Sequence, residues 1–357
     1  MLPNRGGITF SSNVPEGKAV KVLKGDVLVS NIRPYFKKIW LAKEDCGCSN
    51  DVLCFRANQE VCNTYLYYLL SQDSFFDYVM SGANGSKMPR GDRNQIMQWN
   101  VEVPLFDIQH RIASILSSLD SKIETNNKIN AKLEEMAQAL FKSWFVDFEP
   151  FKDGKFVESE LGMIPEGWRV GKLGEFVMTT SGGTPSRKNE DFYNNGSYCW
   201  VKSKELNGGF ILDTEEKITN EAIKKSSAKL LPANSVLIAM YGATVGEYAM
   251  ISKEMTCNQA VCALLPNEKL PYSYLFMLAK TNKERLINSA VGSAQQNISQ
   301  VIIKDMQIVF DEEAVCKFHK IIAPIFEKLK INYEENLRLS QLRDTLLPKL
   351  MNGEIEI

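Results

Sequence analysis

The sequence predicts an α+β protein with two mixed α/β globules separated by two long antiparallel coiled-coil helices. Two observations carry that prediction. The first is the stretch from Phe106 to Phe148, which holds no Gly or Pro and keeps two interleaved seven-residue series. One is Ile112, Leu119, Asn126, Leu133, Leu140; the other is Leu116, Ile123, Asn130, Ala137, Trp144. Their 3,4 alternation is a coiled-coil seam. About 43 residues at ~1.5 Å each would reach roughly 64 Å, a spacer's length. The second observation is duplication. Adding 206 to each position gives Phe318, Ile325, Asn332, Leu339, Leu346, then Ile322, Leu329, Asn336, Arg343, Leu350. Asn126 and Asn130 thus recur as Asn332 and Asn336, so antiparallel pairing would bring four amides to one level and specify register.

Composition limits what the chain can be. Its 357 residues have room for two or three domains, each with a core. Net charge is −1, so any nucleic-acid site must be a local patch. The opening Met-Leu-Pro-Asn-Arg-Gly-Gly has no signal-peptide core, and no apolar run approaches ~18 residues. A cytoplasmic protein with no membrane partner is the expectation. Eight cysteines then read as reduced thiols. Cys46, Cys48, Cys54 and Cys62 cluster without a C-x2-C pair, and Cys48, Cys54, Cys257 and Cys262 sit in strand-like contexts. They read as small buried residues rather than zinc ligands.

In chain order, the expected segments are 1–105, a first globule; 106–149, a long helix; 150–309, a second globule; and 310–357, another long helix. The globules repeat. With an offset of 209, Val27-Leu28-Val29 falls on Val236-Leu237-Ile238, Cys48 on Cys257 and Val52 on Val261. Each copy reads as three strands, then a helix (Thr64 to Met80, Tyr272 to Ser289) and a polar loop. A last strand, Val101-Glu102-Val103 or Met306-Gln307-Ile308, should lead into the long helix. Glu149-Pro150 should stop the first helix, Gly353 should end the second, and Pro324 should kink or restart it. The second globule opens with Ile164-Pro165-Glu166-Gly167-Trp168, for which the first has no counterpart; roughly its first fifty residues are expected to be absent.

No phosphate-binding glycine loop, no G-x-G-x-x-G and no G-x-S-x-G is present, and the two histidines fall on the long helices. Nothing points to catalysis. Two globules on a strut would instead suit the reading of two short DNA sites. Base edges call for Arg, Lys, Asn and Gln, and phosphates for Lys, Arg and hydroxyls. The first globule offers Asn31, Arg33, Lys37, Lys38, Lys87, Arg90 and Arg93. The second offers Ser181, Thr184, Arg187, Lys188, Lys202 and Lys204, then Tyr241, Thr244, Gln295, Gln296 and Asn297. Any one of these alone reads as solvated surface. As a set, they are divergent loops on a matched scaffold.

The chain resembles the specificity subunit of a type I restriction–modification system. The resemblance rests on Ile164-Pro165-Glu166-Gly167-Trp168, Gly183-Thr184-Pro185, and Pro104-Leu105-Phe106-Asp107-Ile108-Gln109-His110-Arg111-Ile112 entering the helix. Leu133-Glu134, Leu140-Phe141 and the terminal Leu346-Leu347-Pro348-Lys349-Leu350-Met351-Asn352-Gly353 extend it over nearly the whole chain. It implies two target-recognition domains, each reading half of an interrupted double-stranded DNA target. The helices would set the spacer and dock modification subunits, which bind S-adenosylmethionine. Restriction subunits driven by ATP and Mg would join them, and this chain would hold no cofactor and do no chemistry. The first domain lacks the P-x-x-W and G-T-P elements that the family places there. An N-terminally truncated first recognition domain is therefore expected, which raises self-association of two chains. The alternative reading is a specificity-like protein that binds modification subunits without recognising a full target. A free-standing methyltransferase is disfavoured by the absent cofactor loop and N-P-P-[YF] motif.

Overall fold

The computed structural model describes residues 1–9, 17–290 and 297–357. They form two compact units: unit 1 is Met1–Thr125 with Asn336–Ile357, and unit 2 is Asn126–Glu335. Each unit therefore takes one half of each long helix, whereas the sequence suggests separate segments for the helices.

Unit 1 contains β1 (Val20–Val22), β2 (Val27–Ser30), β3 (Ile39–Leu41), β4 (Cys46–Cys48) and β5 (Val52–Phe55). β1 pairs with β4, and β2 is the centre of an antiparallel β3-β2-β5 sheet. Successive side chains of a strand face opposite ways. Accordingly Val27 and Val29 join Phe75, Phe76, Val79 and Ile96, while Leu28 joins Val22 and Ala42 on the other face. The covering helices are α1 (Asn63–Leu70), α2 (Asp73–Ser81) and α3 (Arg93–Ile96), and α4 (Phe106–Phe145) follows.

Unit 2 begins with a pair, β6 (Phe156–Ser159) and β7 (Gly162–Pro165). It continues through β8 (Arg169–Lys172), α5 (Leu173–Phe176), β9 (Met178–Ser181), β10 (Tyr198–Val201), β11 (Phe210–Ile211), β12 (Lys217–Ile218) and α6 (Asn220–Lys225). The repeated part is β13 (Val236–Ala239), β14 (Tyr248–Ile251), β15 (Thr256–Cys257), β16 (Val261–Leu265), α7 (Tyr272–Thr281), α8 (Lys283–Asn288) and α9 (Gln300–Lys304). Then come β17 (Gln307–Phe310) and α10 (Glu312–Met351). The main sheet runs β11-β14-β13-β16-β9, a second runs β12-β10-β15, and β17 pairs with β8.

The duplication holds to the level of strand register. Val27↔Leu41 and Val27↔Phe55 in unit 1 become Val236↔Met250 and Val236↔Leu264 in unit 2. Even the contact Val22↔Cys46 recurs as Leu231↔Met255. A one-residue slip would turn every side chain to the wrong face, so matched cores require matched register.

The long helices pair antiparallel within each unit. In unit 1, Arg111 reaches the carbonyl of Ile357 at 3.3 Å, and Asp120 holds Arg343 at 2.7 Å. Leu116 and Ile112 share a buried cluster there with Leu347 and Leu350. In unit 2, the Asn332 amide donates to Asn130 Oδ1 at 2.7 Å, and the Phe145 and Phe318 rings meet edge to face at 5.0 Å. The Asn layer is only partly as expected. Asn130 and Asn332 bond, but Asn126 donates to Glu335 at 2.7 Å, and Asn336 is half-buried within unit 1. Among the other seam residues, Leu119, Leu133, Leu140, Ile325, Leu339 and Leu346 are half-buried, flanking the deeper Leu116, Ala137, Phe141 and Leu329.

Five details differ from expectation. Pro324 does not restart the second helix, which runs unbroken from Glu312 to Met351; the ring is solvent-exposed, where the carbonyl it leaves unbonded meets water. The first helix stops at Phe145 rather than at Pro150, because Phe148 turns left-handed (φ 52°) to bury its ring against Trp168. Each expected globule helix is two helices, broken at Ser71-Gln72 and at Asn282. Val101–Val103 is not a strand: β17, its counterpart, is held by β8, and unit 1 has no such neighbour among the described residues. Cys257 and Cys262 are buried as expected, but Cys48 and Cys54 are only half-covered. No group of three or more potential metal ligands occurs among the described residues, and no described helix is long and apolar enough to cross a membrane.

Candidate nucleic-acid interface

Three stretches of unit 1 converge on the turn after β2. Asn31 N–H donates to Asp51 at 2.9 Å, Arg33 N–H to Pro89 at 2.8 Å, and Gly91 N–H to Asn31 at 3.3 Å. Arg33 (φ 49°) and Lys37 (φ 48°) are both left-handed without being glycine, a strain found where a turn is over-determined by its surroundings. A second loop is closed by reciprocal bonds between Asn84 and Arg90, at 2.8 and 2.9 Å. Lys87 stands exposed at its tip.

The sequence-nominated side chains of unit 1 fall into two sets. Arg33, Lys87, Arg90 and Arg93 gather on this surface; Arg90 lies 3.2 Å from Asp51, and Arg93 donates to the Asn50 carbonyl. Lys37 turns instead to Asp73 at 2.8 Å, and Lys38 lies over the Phe36 ring. The Lys37 and Arg5 cations beside Asp73 hold its carboxyl below the usual range. Asn31 is buried and its amide donates to Gly91 at 3.1 Å, so it braces the turn. Its position matches buried Met240 of unit 2, whose N–H and carbonyl make the equivalent bonds to Ala260 and Ile298.

In unit 2, the loop leaving β9 is held tightly. A Cβ on Gly182 would lie 1.9 Å from the Cys257 carbonyl oxygen, and one on Gly183 would lie 2.2 Å from Ser227 Oγ, so only glycine fits either place. Gly183 accepts from the Trp200 indole at 3.0 Å and Pro185 from Tyr193 at 2.6 Å, while Thr184 bonds Gln259. Ser181, half-buried at the end of β9, pairs with Cys262. This anchoring presents Arg187 and Lys188 on the surface beyond.

Most of the unit 2 cations have acidic partners. Arg187 meets Glu216 at 2.6 Å and stacks 4.3 Å over Tyr193. Lys202 also bonds Glu216, and Lys204 meets Glu215 at 2.6 Å. Lys202 first, then Arg187, holds the Glu216 carboxyl below its usual range. Those acids escape the sequence reading because each ion pair joins one loop to another, and the pairing of the loops is set by the fold. The signal was Asp213-Thr214-Glu215-Glu216, an acidic run close behind the basic one. Tyr241 is exposed and bridges Asn297, as Ile32 bridges Arg90 in unit 1. Thr244 closes that turn by donating to Tyr241 at 3.2 Å. Gln295 and Gln296 lie outside the described residues.

Neither histidine makes a plausible catalytic pair. His319 lies 2.8 Å from Ser273 Oγ, but Ser273 has no exposed surface, and burial lowers the His319 pKa. His110 stands 4.0 Å from Cys62 Sγ, a long and weak contact.

Comparison with known proteins agrees with this duplicated plan. The family model for the type I restriction modification DNA specificity domain matches twice, over residues 4–135 and 165–334. The type I restriction enzyme MjaIX specificity subunit of Methanocaldococcus jannaschii is 28% identical, covering 94% of this chain and 78% of its own. The type I restriction enzyme HindI specificity subunit of Haemophilus influenzae is also 28% identical, covering 96% and 90%. The crystal structure of a type I restriction–modification system S subunit from M. genitalium shares the fold, with a TM-score of 0.57 at 16% identity over 98% of this chain and 90% of that one. This chain therefore belongs to the type I restriction–modification DNA specificity family, whose named relatives are specificity subunits rather than catalytic ones.

Proposed function

We propose that this chain gives a type I restriction–modification enzyme its DNA address: each unit reads one half of an interrupted duplex target, while α4 and α10 set the spacing and dock modification subunits. The observation that carries this reading is a matched scaffold with unmatched loops. Where unit 1 sets Arg90 against Ile32, unit 2 sets Asn297 against Tyr241. Arginine suits guanine and asparagine suits adenine in the major groove. Arg33, Lys87, Arg93 and Lys188 would add phosphate contacts. S-adenosylmethionine, ATP and Mg would be held by partner subunits, in the cytoplasm where the chromosome lies.

Methylome sequencing tests this, in a methylation-free host expressing the chain with its modification subunit. An asymmetric interrupted motif is expected. A palindromic interrupted motif would mean that two copies pair and one unit reads. Absence of methylation from an assembled complex would favour the second reading, a partner that binds modification subunits without a full target. The half-covered sheet of unit 1 gives that reading its support.

A further inference from the structure

Several strand ends of unit 2 meet at one turn. β16 runs antiparallel to β9 and β13, so its start lies beside the ends of both. The turn before it, 258–260, is also tied to β10, because Asn258 N–H donates to the Val201 carbonyl at 2.9 Å. Ala260 N–H donates to Asn258 Oδ1 at 3.2 Å, and Met240 N–H to the Ala260 carbonyl at 2.8 Å. These bonds fix the backbone of the residue between them, Gln259, whose side chain is exposed. Through Ala260 and Met240 it adjoins the turn of Tyr241 and Asn297, and through Thr184 it adjoins the loop of Arg187 and Lys188. With the offset of 209, Gln259 falls on Asn50, likewise exposed, so each unit carries an amide at this tip.

The Thr184 hydroxyl donates to Gln259 Oε1. Thr184 is exposed as well, and water offers both groups the same bonds, so this one adds little to stability. Nor does the loop need it. Gly182 and Gly183 are already pinned against Cys257 and Ser227, and Gly183 N–H donates to the Cys257 carbonyl at 2.9 Å. What the bond fixes is direction. A free glutamine amide turns about its last torsion and presents oxygen or nitrogen to either side. A hydroxyl that donates to Oε1 settles that choice, and Oε1 keeps a second lone pair beside two N–H donors. An acceptor next to a donor is the pattern that suits adenine N6 and N7 in the major groove. A long side chain ordered before DNA arrives also lowers the entropic cost of binding.

We propose that Gln259 reads an adenine in the half-site of unit 2, and that Thr184 is its positioning residue rather than a DNA contact. Both roles rest on the DNA reading proposed above.

The test selects binders from a randomised duplex library, using the full chain assembled with its modification subunit. The native complex should return an interrupted motif, and Gln259→Ala should lose roughly tenfold in preference for adenine at one position alone. Thr184→Val should weaken the same preference several-fold, and Thr184→Ser, which keeps the hydroxyl, should restore it. Every other position, the other half included, should stay as in the native complex. A native motif that Gln259→Ala leaves unchanged, or alters at a base pair other than A·T, would overturn the assignment and leave the DNA reading intact. Uniform loss across the motif in Thr184→Val would make Thr184 a brace of its loop and refute the positioning role. A native complex that returns no motif would overturn the DNA reading, and this assignment with it.

Discussion

Units 1 and 2 use the same three strands in the same register, yet they bury them differently. Leu264 in β16 is sealed between β13, β9 and α9, whereas its counterpart Phe55 lines an open cavity. Burial is thus set by what covers a strand as much as by the strand's own residues. Apolar alternation gives the face that a side chain points to, and says nothing of whether the next strand is present.

The largest effect should come from the tightest contact in unit 2. Gly182→Val puts side-chain atoms where the Cys257 carbonyl stands, and should destabilise unit 2 by roughly 4 kcal/mol, among the exceptional values for a single change. Denaturation followed by unit-resolved hydrogen exchange would show it; unchanged protection of β16 would discredit the packing of this loop. Next comes the direct comparison. Leu264→Ala should cost about 3 kcal/mol, and Phe55→Ala about half of that although it removes a larger side chain, because one empties a closed core and the other an open one. Equal losses would mean that unit 1 is as well covered as unit 2.

Much of this was legible beforehand. Both seams, the offset of 209 and the strand cores follow from periodicity, because apolar side chains must repeat with the geometry of the element that buries them. What stayed hidden depends on distant partners. Val101–Val103 has a strand's residues but no neighbouring strand among the described residues, and Pro324 has a helix breaker's chemistry but sits on an exposed face, where solvent can reach the Lys320 carbonyl that its missing N–H leaves unbonded. Among site residues, the Lys-rich loops were visible, while the pairing of Arg187 and Lys202 with Glu216 joins segments that only the fold brings together. Asn31 offers an amide in the sequence, yet in the fold it occupies the place of a core methionine.

Acid should separate the units next. Buried Asp26 accepts from Arg56 at 2.8 and 2.6 Å and from the Leu23 N–H at 2.7 Å. The Arg56 bonds bring its pKa from the usual 3.8 to about 2. A carboxyl depressed on folding stabilises the fold above its unfolded pKa, and that contribution is lost as pH falls through the folded value. Unit 2 has Ser235 there, which donates to Pro232 and does not titrate. Between about pH 4 and pH 2, β2 of unit 1 should therefore lose exchange protection before β13 of unit 2 does. Asp26→Asn should abolish the difference in pH response and cost about 2 kcal/mol at neutral pH. An identical acid response of the two units would remove Asp26 as its cause.

The smallest expected effects concern charge at the proposed DNA surface. Arg187 and Lys188 are neighbours in sequence, but only Arg187 has Glu216 beside it. A cation already matched by a carboxylate releases fewer counterions when it meets a phosphate. Lys188→Ala should therefore lower the slope of log K against log salt by about one, and Arg187→Ala by less. Glu216→Gln should do the opposite, tightening binding several-fold at low salt by freeing Arg187 and Lys202. Fluorescence anisotropy on a target duplex across a salt series would measure all three. If Glu216→Gln weakens binding, the carboxylate is holding the two cations in their DNA-contacting pose, and pairing in unit 2 is preorganisation rather than neutralisation.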